Sequence, residues 1–150
     1  MIEKNIYIVG HKKPDLDSTA STVGYEAFRH ALGQHEYKAI RSDKVNVLTA
    51  WVFDEYHTEI PPLVEDVSSM NLALVDHTYP ESRPNNWEKA NIVEVIDHHD
   101  VKLEDIIPQS ITIRRCGSTC SLITQMFYNM NLEVPKNIAC ILLSGILDDT

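Results

Sequence analysis

The sequence predicts an α/β domain built on a mostly parallel, five-stranded sheet with helices on both faces. Short aliphatic runs alternate with stretches in which apolar residues recur every three or four positions, the pattern of strands joined by helices. The two most hydrophobic runs, Leu72–Val75 and Ile92–Ile96, are nearly continuous, as strands covered on both sides are. No repeat, low-complexity tract or linker interrupts the chain, so a single domain over residues 1–150 is expected.

Ile6–Val9 is the first predicted strand, and Ser18 to Leu32 the helix after it, with Ala20, Val23, Ala27 and Ala31 on one side and Gly33 as its stop. Tyr37–Ile40 is the second strand. Asn46 to Tyr56 is read as a helix with Val47, Leu48, Trp51, Val52 and Tyr56 on one face. Leu72–Val75, Ile92–Ile96 and Ile111–Ile113 complete the sheet. Ser118 to Met130 then groups Leu122, Ile123, Met126, Phe127 and Met130, and Pro135 to Leu147 groups Ile138, Ile141, Leu142 and Ile146. All of these stripes are expected to be core. The chain stops at Thr150 directly after an apolar helix, an end expected of a fragment.

Composition narrows the function classes. No apolar run approaches the roughly 20 residues that span a bilayer, and the N-terminus is too polar for a secretory leader, so a cytoplasmic protein is expected. With 13 Lys and Arg against 22 Asp and Glu, the net charge of −9 argues against nucleic acid or a membrane surface as partner. It leaves a phosphorylated small molecule open, because a bound metal reverses the local sign. Cys116, Cys120 and Cys140 read as reduced thiols. Cys120, among Leu122, Ile123 and Met126, is a small core residue and not half of a zinc knuckle.

The chemistry lies just past the strands. Gly10-His11-Lys12-Lys13-Pro14-Asp15-Leu16-Asp17-Ser18 follows the first, Asp76-His77 the third, and Asp97-His98-His99 the fourth; Asp149 at the end of the last helix can join them. Open α/β sheets bind ligands outside the carboxyl ends of their strands, so these segments meet at one edge. His11, Asp15, Asp17, Asp76, His98 and Asp149 bring two imidazoles and four carboxylates. So many carboxylates in one cleft raise each other's pKa unless cations intervene. Mixed carboxylate and imidazole donors suit Mn²⁺ or a related octahedral ion, and six side chains exceed one ion's needs. Two metals roughly 3.5–4 Å apart with a bridging carboxylate is the economical reading. Asp15 and Asp17, two apart, point the same way in an extended loop, after which Ser18 caps the helix.

Taken singly, Pro-Asp-x-Asp-Ser is an ordinary capped turn and His-His an ordinary surface pair. His30, His35 and His57 receive no role, and residue type alone does not place His77. The metal reading rests on three clusters falling after three strands of one sheet.

Asp97-His98-His99 resembles the signature of the DHH phosphoesterases. Gly10 to Ser18 is similar to that superfamily's first motif as found in the family II, manganese-dependent inorganic pyrophosphatases, and Val75-Asp76-His77 to their second. Gly117-Ser118-Thr119 and Leu147 to Thr150 resemble later segments in the same order. The resemblance covers essentially the whole chain. It implies two Mn²⁺ ions (or Co²⁺ or Mg²⁺), one on His11 and Asp15, the other on Asp17 and His98, with Asp76 and Asp149 bridging or shared. It also implies that His99 contacts a substrate phosphate or moves a proton, and that Asp97 orients a neighbouring His. The implied activity is hydrolysis of pyrophosphate to two phosphates by a homodimer. Two departures stand out: Thr78 occupies a position that is usually Asn in these pyrophosphatases, and the family's second, cation-rich domain has no counterpart within these residues. A phosphodiesterase acting on short oligonucleotides or cyclic dinucleotides is the alternative within the superfamily. Those enzymes commonly carry Gly between the two aspartates where this chain has Leu16. A non-catalytic metal-binding and dimerising domain is the alternative outside it.

Overall fold

A computed structural model describes residues 4–150; residues 1–3 lie outside the described residues. Five strands, β1 (Ile6–Val9), β2 (Tyr37–Ile40), β3 (Asn71–Val75), β4 (Asn91–Asp97) and β5 (Ser110–Ile113), form one parallel sheet in the order β2-β1-β3-β4-β5. The chain first steps from β1 outward to β2, then crosses back past β1 to β3. That reversal opens a crevice at the carboxyl ends of β1 and β3, where such sheets bind ligands.

Four α-helices accompany the sheet: α1 (Leu16–Ala31), α2 (Val47–Glu55), α3 (Thr119–Asn129) and α4 (Lys136–Asp149). Asn46 and Ser118, read as helix starts, are the N-caps of α2 and α3, each accepting the backbone N–H of the residue three positions on. At α1 the expected cap is corrected. Asp15 occupies the N-cap and accepts Ser18 N–H at 2.8 Å, so Ser18 lies inside the helix. The helix ends at Ala31, and Gly33 follows with φ of +81°, the left-handed stop its type predicts.

All four α-helices feed one core, in which Leu16, Ala20, Phe53, Ile123 and Ile141 meet Ile8, Ala73, Val75 and Ile96 of the sheet. The other face buries Val9, Ile40, Leu72, Leu74 and Val95 beneath Val67, Trp87, Leu103 and Ile106. Cover there comes from loops and a 3-10 turn (Trp87–Lys89) instead of α-helices. A shift of register between Leu72 and Ala73 makes Val93 an extra residue in β4. Ile92 and Val95, three apart, therefore share the second face, and Glu94 turns into the helical one. There Glu94 accepts hydrogen bonds from Tyr25 Oη at 2.5 Å, from Tyr37 Oη and, through both oxygens, from Arg29 at 3.0 Å. A carboxylate in mid-sheet is tolerable only with such partners.

The expected core stripe of α2 is also corrected. Only Thr49, Val52 and Phe53 are buried, while Val47, Leu48, Trp51 and Tyr56 are exposed. The helix is apolar nearly all round, so periodicity could not choose its inner face. Met130, placed in the α3 stripe, is likewise exposed because it has become the C-cap. No helix among the described residues is long and apolar enough to cross a membrane.

Candidate metal centre

The loop after β1 is pressed against the first turn of α1. A Cβ at Gly10 would lie 2.0 Å from Ser18 Oγ, so no other residue fits there, and Ser18 Oγ accepts His11 N–H at 3.2 Å. Ser18 thus holds the loop instead of capping the helix. His11 donates from Nδ1 to Lys12 O at 2.7 Å, leaving Nε2 3.7 Å from Asp15 Oδ1 and 3.4 Å from Asp76 Oδ2. Asp43 holds Lys13 N–H at 2.9 Å and Ser82 O holds Lys12 N–H at 2.9 Å. Gly10→Ala should displace the whole loop and destabilise the chain by about 1–3 kcal/mol, the usual cost of overpacking. Urea unfolding measures it, and a midpoint equal to wild type would mean that the loop yields freely.

Asp15 and Asp17 do not share an extended segment, correcting the expectation that they point the same way. A helical start separates them: Asp15 caps α1 and turns to His11, whereas Asp17, fully buried, turns to α3. Its two oxygens accept the N–H groups of Thr119 and Cys120, each at 2.9 Å. Those are otherwise unpaired donors at the N-terminus of α3, a place that favours a carboxylate.

Asp76 sits at the end of β3 with φ of +64°, and its N–H still bonds Ile96 O at 2.9 Å. Aspartate is among the residues that tolerate this left-handed backbone. Its Oδ1 accepts Thr119 Oγ1–H at 2.9 Å and lies 3.3 Å from His98 Nε2. The carboxylate therefore stands between the two imidazoles. After β4, Asp97 Oδ1 collects the N–H groups of His98 and His99 and bonds His99 Nδ1 at 2.7 Å. His98 donates from Nδ1 to Cys116 O at 2.9 Å. Its Nε2 then lies 3.3–3.6 Å from oxygens of Asp76, Asp149 and Asp17, yet is buried without a hydrogen bond to any of them.

Three overlapping groups of potential ligands result: His11, Asp15 and Asp76; Asp76, His98 and His99; Asp17, His98 and Asp149. All six residues expected to hold metals thus fall in one cluster, with Asp76 and His98 each in two groups. Asp149 falls with Asp17 and His98 only, on one side of the cluster. His99 approaches Asp76 to 3.8 Å, but its Nδ1 is committed to Asp97.

The electrostatics describe donors crowded without counter-charge. Burial opposes charge on His11, but hydrogen bonds to Asp15 and Asp76 prevail and raise its pKa to about 10. Asp76, with burial resisting, raises His98 to about 9. Burial and then the charge of Asp76 push Asp17 up to about 8. Burial and the charges of Asp15 and Asp76 also raise Asp149. Asp76 is held well below the usual carboxylate range, because the two imidazoles beside it overcome its burial. An unpartnered buried imidazole nitrogen facing three carboxylates, with its other nitrogen on a carbonyl, fits a divalent metal.

His77, not placed by its type, is buried beside this cluster, with its ring 6.2 Å from that of His11 in a T-shaped contact. Burial pushes its pKa down to about 4. His11, His77, Tyr79, Ser82 and His99 line a cleft next to Asp76. The sequence reading noted Thr119 within Gly117-Ser118-Thr119 but gave it no role; it binds Asp76 and Asp17 together from across the chain. Cys120 is buried, and all three cysteines are free thiols. His30, His35 and His57 belong to none of the ligand groups.

Residues 5–146 match the DHH family, N-terminal domain. A probable manganese-dependent inorganic pyrophosphatase of Oceanobacillus iheyensis is 36% identical over 145 residues, which is 95% of this chain and 47% of that protein. A manganese-dependent inorganic pyrophosphatase of Methanothrix thermoacetophila is 32% identical over 149 residues, 97% of this chain and 47% of that protein. Among solved structures, a Methanococcus jannaschii protein assigned to the family II inorganic pyrophosphatases superposes with a TM-score of 0.86 at 28% identity, over 97% of this chain and 48% of its own. An exopolyphosphatase-related protein from Bacteroides fragilis shares the fold, with a TM-score of 0.74 at 17% identity over 98% of this chain and 46% of its own. The chain spans about half the length of the curated relatives it matches. By sequence and by architecture it belongs to the DHH family, as an N-terminal domain of that family.

Proposed function

We propose that this chain is the metal-binding half of a manganese-dependent inorganic pyrophosphatase, an enzyme that hydrolyses pyrophosphate to two phosphates by attack of water. The observation that carries the reading is the sharing of Asp76 and His98 among three ligand groups, the donor set for two adjacent ions. The relatives' names support Mn²⁺ as the ion and pyrophosphate as the substrate. His11, Asp15 and Asp76 would hold one ion, and Asp17, His98 and Asp149 the other, with Asp76 between them. When bound, a pair of divalent ions supplies Lewis acidity and lowers the pKa of water.

The chain's own residues do the rest. The Nδ1 bonds of His11 and His98 to carbonyl oxygens fix both rings with Nε2 inward. Thr119 and the N-terminus of α3 hold Asp76 and Asp17 against rotation. Asp97 orients His99, whose half-exposed ring borders the cleft. From there His99 contacts a phosphate and hands a proton to the one departing.

Pyrophosphate is densely anionic, and an excess of nine acidic residues over basic ones does not grip it. We therefore assign residues 1–150 to metal binding and the substrate-gripping cations to a further domain, in keeping with relatives of twice the length. We place the protein in the cytoplasm, a reducing compartment that suits its free thiols. We also assign a homodimer, for which the open edge of β5 with exposed Ile107 and Ile111 offers a surface. The small-molecule reading over a nucleic-acid one follows the acidic charge.

Steady-state phosphate release with Mn²⁺ tests the proposal, for the chain alone and for the chain fused to the C-terminal half of the Oceanobacillus relative. The fusion should be faster by about 10²–10³, the worth of a preorganised phosphate contact. Nucleotide release from a dinucleotide in place of phosphate release would make it a phosphodiesterase. Metal binding with neither activity would leave a non-catalytic domain.

A further inference from the structure

Arg83 has no place in the metal centre, yet its side chain is completely buried. It donates from Nε to Thr78 O at 2.8 Å, from Nη1 and Nη2 to both oxygens of Asp105 at 2.9 Å, and from Nη2 to Lys102 O at 3.1 Å. Its guanidinium also stacks 4.2 Å from the centre of the Trp87 ring. Thr78 follows Asp76 by two residues. Lys102 and Asp105 lie in the segment that leaves His98 and His99. A further bond ties the same segments, from Lys102 N–H to Thr78 Oγ1 at 2.9 Å. The residue before Arg83 reaches the third loop, since Ser82 O accepts Lys12 N–H at 2.9 Å, next to His11.

An ion pair alone is weak evidence for a role, because apolar side chains often replace buried pairs at no loss of stability. What an apolar side chain cannot do is bind two carbonyls and a carboxylate from separate loops at once. A planar guanidinium with its donors in a fixed fork does so with little freedom left over. The loops it joins are irregular and cross the face of the sheet that carries no α-helix. Among the described residues, no other ion pair on that face ties the segment after β3 to the one after β4. Misplacing a supporting group by an ångström is enough to loosen a ligand set.

We propose that Arg83 is the positioning residue of the metal centre: from beneath, its buried guanidinium locks the loop bearing Asp76 to the segment following His98 and His99, and by way of Ser82 to the loop bearing His11. The inference rests on the metal reading above for its consequence, though not for the clamp itself.

Two measurements separate these levels. Hydrogen exchange read by mass spectrometry on metal-free Arg83→Met should rise in peptides covering residues 10–15, 76–83 and 98–106, and stay at the wild-type level in α3. Unchanged exchange in those loops overturns the clamp whether or not the protein binds metal. Mn²⁺ affinity by calorimetry should then fall about 10- to 100-fold, the usual cost of losing a group that supports ligands. Arg29→Met is the control for a merely structural loss: it breaks the pair with Glu94 at the far end of α1 and should lower the melting temperature with affinity retained. Equal loss of affinity in both variants overturns the positioning role, as does wild-type affinity in Arg83→Met. If Arg83→Met does not fold, Asp105→Asn decides, with faster loop exchange and several-fold weaker Mn²⁺ binding expected and wild-type values overturning the proposal. A wild-type chain that binds no Mn²⁺ sinks the metal reading and leaves the exchange result standing.

Discussion

Asp76→Asn should lose the paired binding of Mn²⁺, with affinity at each position falling about 100-fold or more. Removing a group that merely supports ligands costs about 10–100-fold, and a shared ligand does more. Among the described residues, Asp76 is the only carboxylate that belongs to the groups of both His11 and His98. Asparagine is the informative substitution because it tolerates the left-handed backbone, φ of +64°, that Asp76 adopts. Alanine there adds strain of roughly 1–2 kcal/mol and confounds the reading. Asp149→Asn should weaken only one ion, since Asp149 shares a group with Asp17 and His98 alone. Calorimetric titration with Mn²⁺ distinguishes the two patterns. Loss of a single site in Asp76→Asn would refute the bridging role. A second signature comes without metal, because the Asp76 carboxylate helps raise His11 and His98. Both imidazoles should titrate lower in the variant, as followed by NMR.

Much of this cluster was legible because most of its residues follow strands. β1 and β2 run over Ile6–Val9 and Tyr37–Ile40 as read from their aliphatic runs, β3 and β5 begin one residue earlier than read, and β4 is longer by one residue at each end. Once the sheet was parallel, the residues after β1, β3 and β4 had to share an edge. What periodicity could not give was the local geometry at each strand end. Asp15 and Asp17 looked equivalent by spacing, but a capping bond from Ser18 N–H starts the helix between them and sends them to different groups. The roles of Thr119 and Arg83 were illegible for another reason. Thr119 bonds Asp17 across 102 positions and Asp76 across 43, and Arg83 finds Asp105 across 22. A contact of that separation leaves no local pattern. The exposed side of α2 was misread because Val47, Leu48 and Trp51 resemble core residues in type, and only packing selects Val52 and Phe53.

The stability of the metal-free chain should fall as pH rises, unlike the trend with metal. Asp17 ionises in the unfolded chain near 3.8 but in the folded chain near 8, so between those values the folded state holds an extra proton. His11 and His98 add to this from 6.5 upward, through folded values of about 10 and about 9. In every case the folded pKa is the higher one, so the stability is complete below the unfolded pKa and is lost as pH climbs through the folded one. Each such proton contributes about 1.4 kcal/mol per pH unit within its window, so the loss between pH 6.5 and 8 should be at least about 2 kcal/mol. Asp76 works the other way. Its depressed pKa gives stability present above 3.8 and lost on further acidification, so the metal-free optimum lies on the acid side of neutrality. Saturating Mn²⁺ removes this slope above neutrality and reverses it below the unfolded histidine value of 6.5, because metal displaces these same protons and binds the folded state alone. Thermal melts at several pH values, with Mn²⁺ and with a chelator, measure both slopes. Parallel curves would mean that the protons and the metal do not share His11, Asp17 and His98, and the two-ion assignment would fail with them.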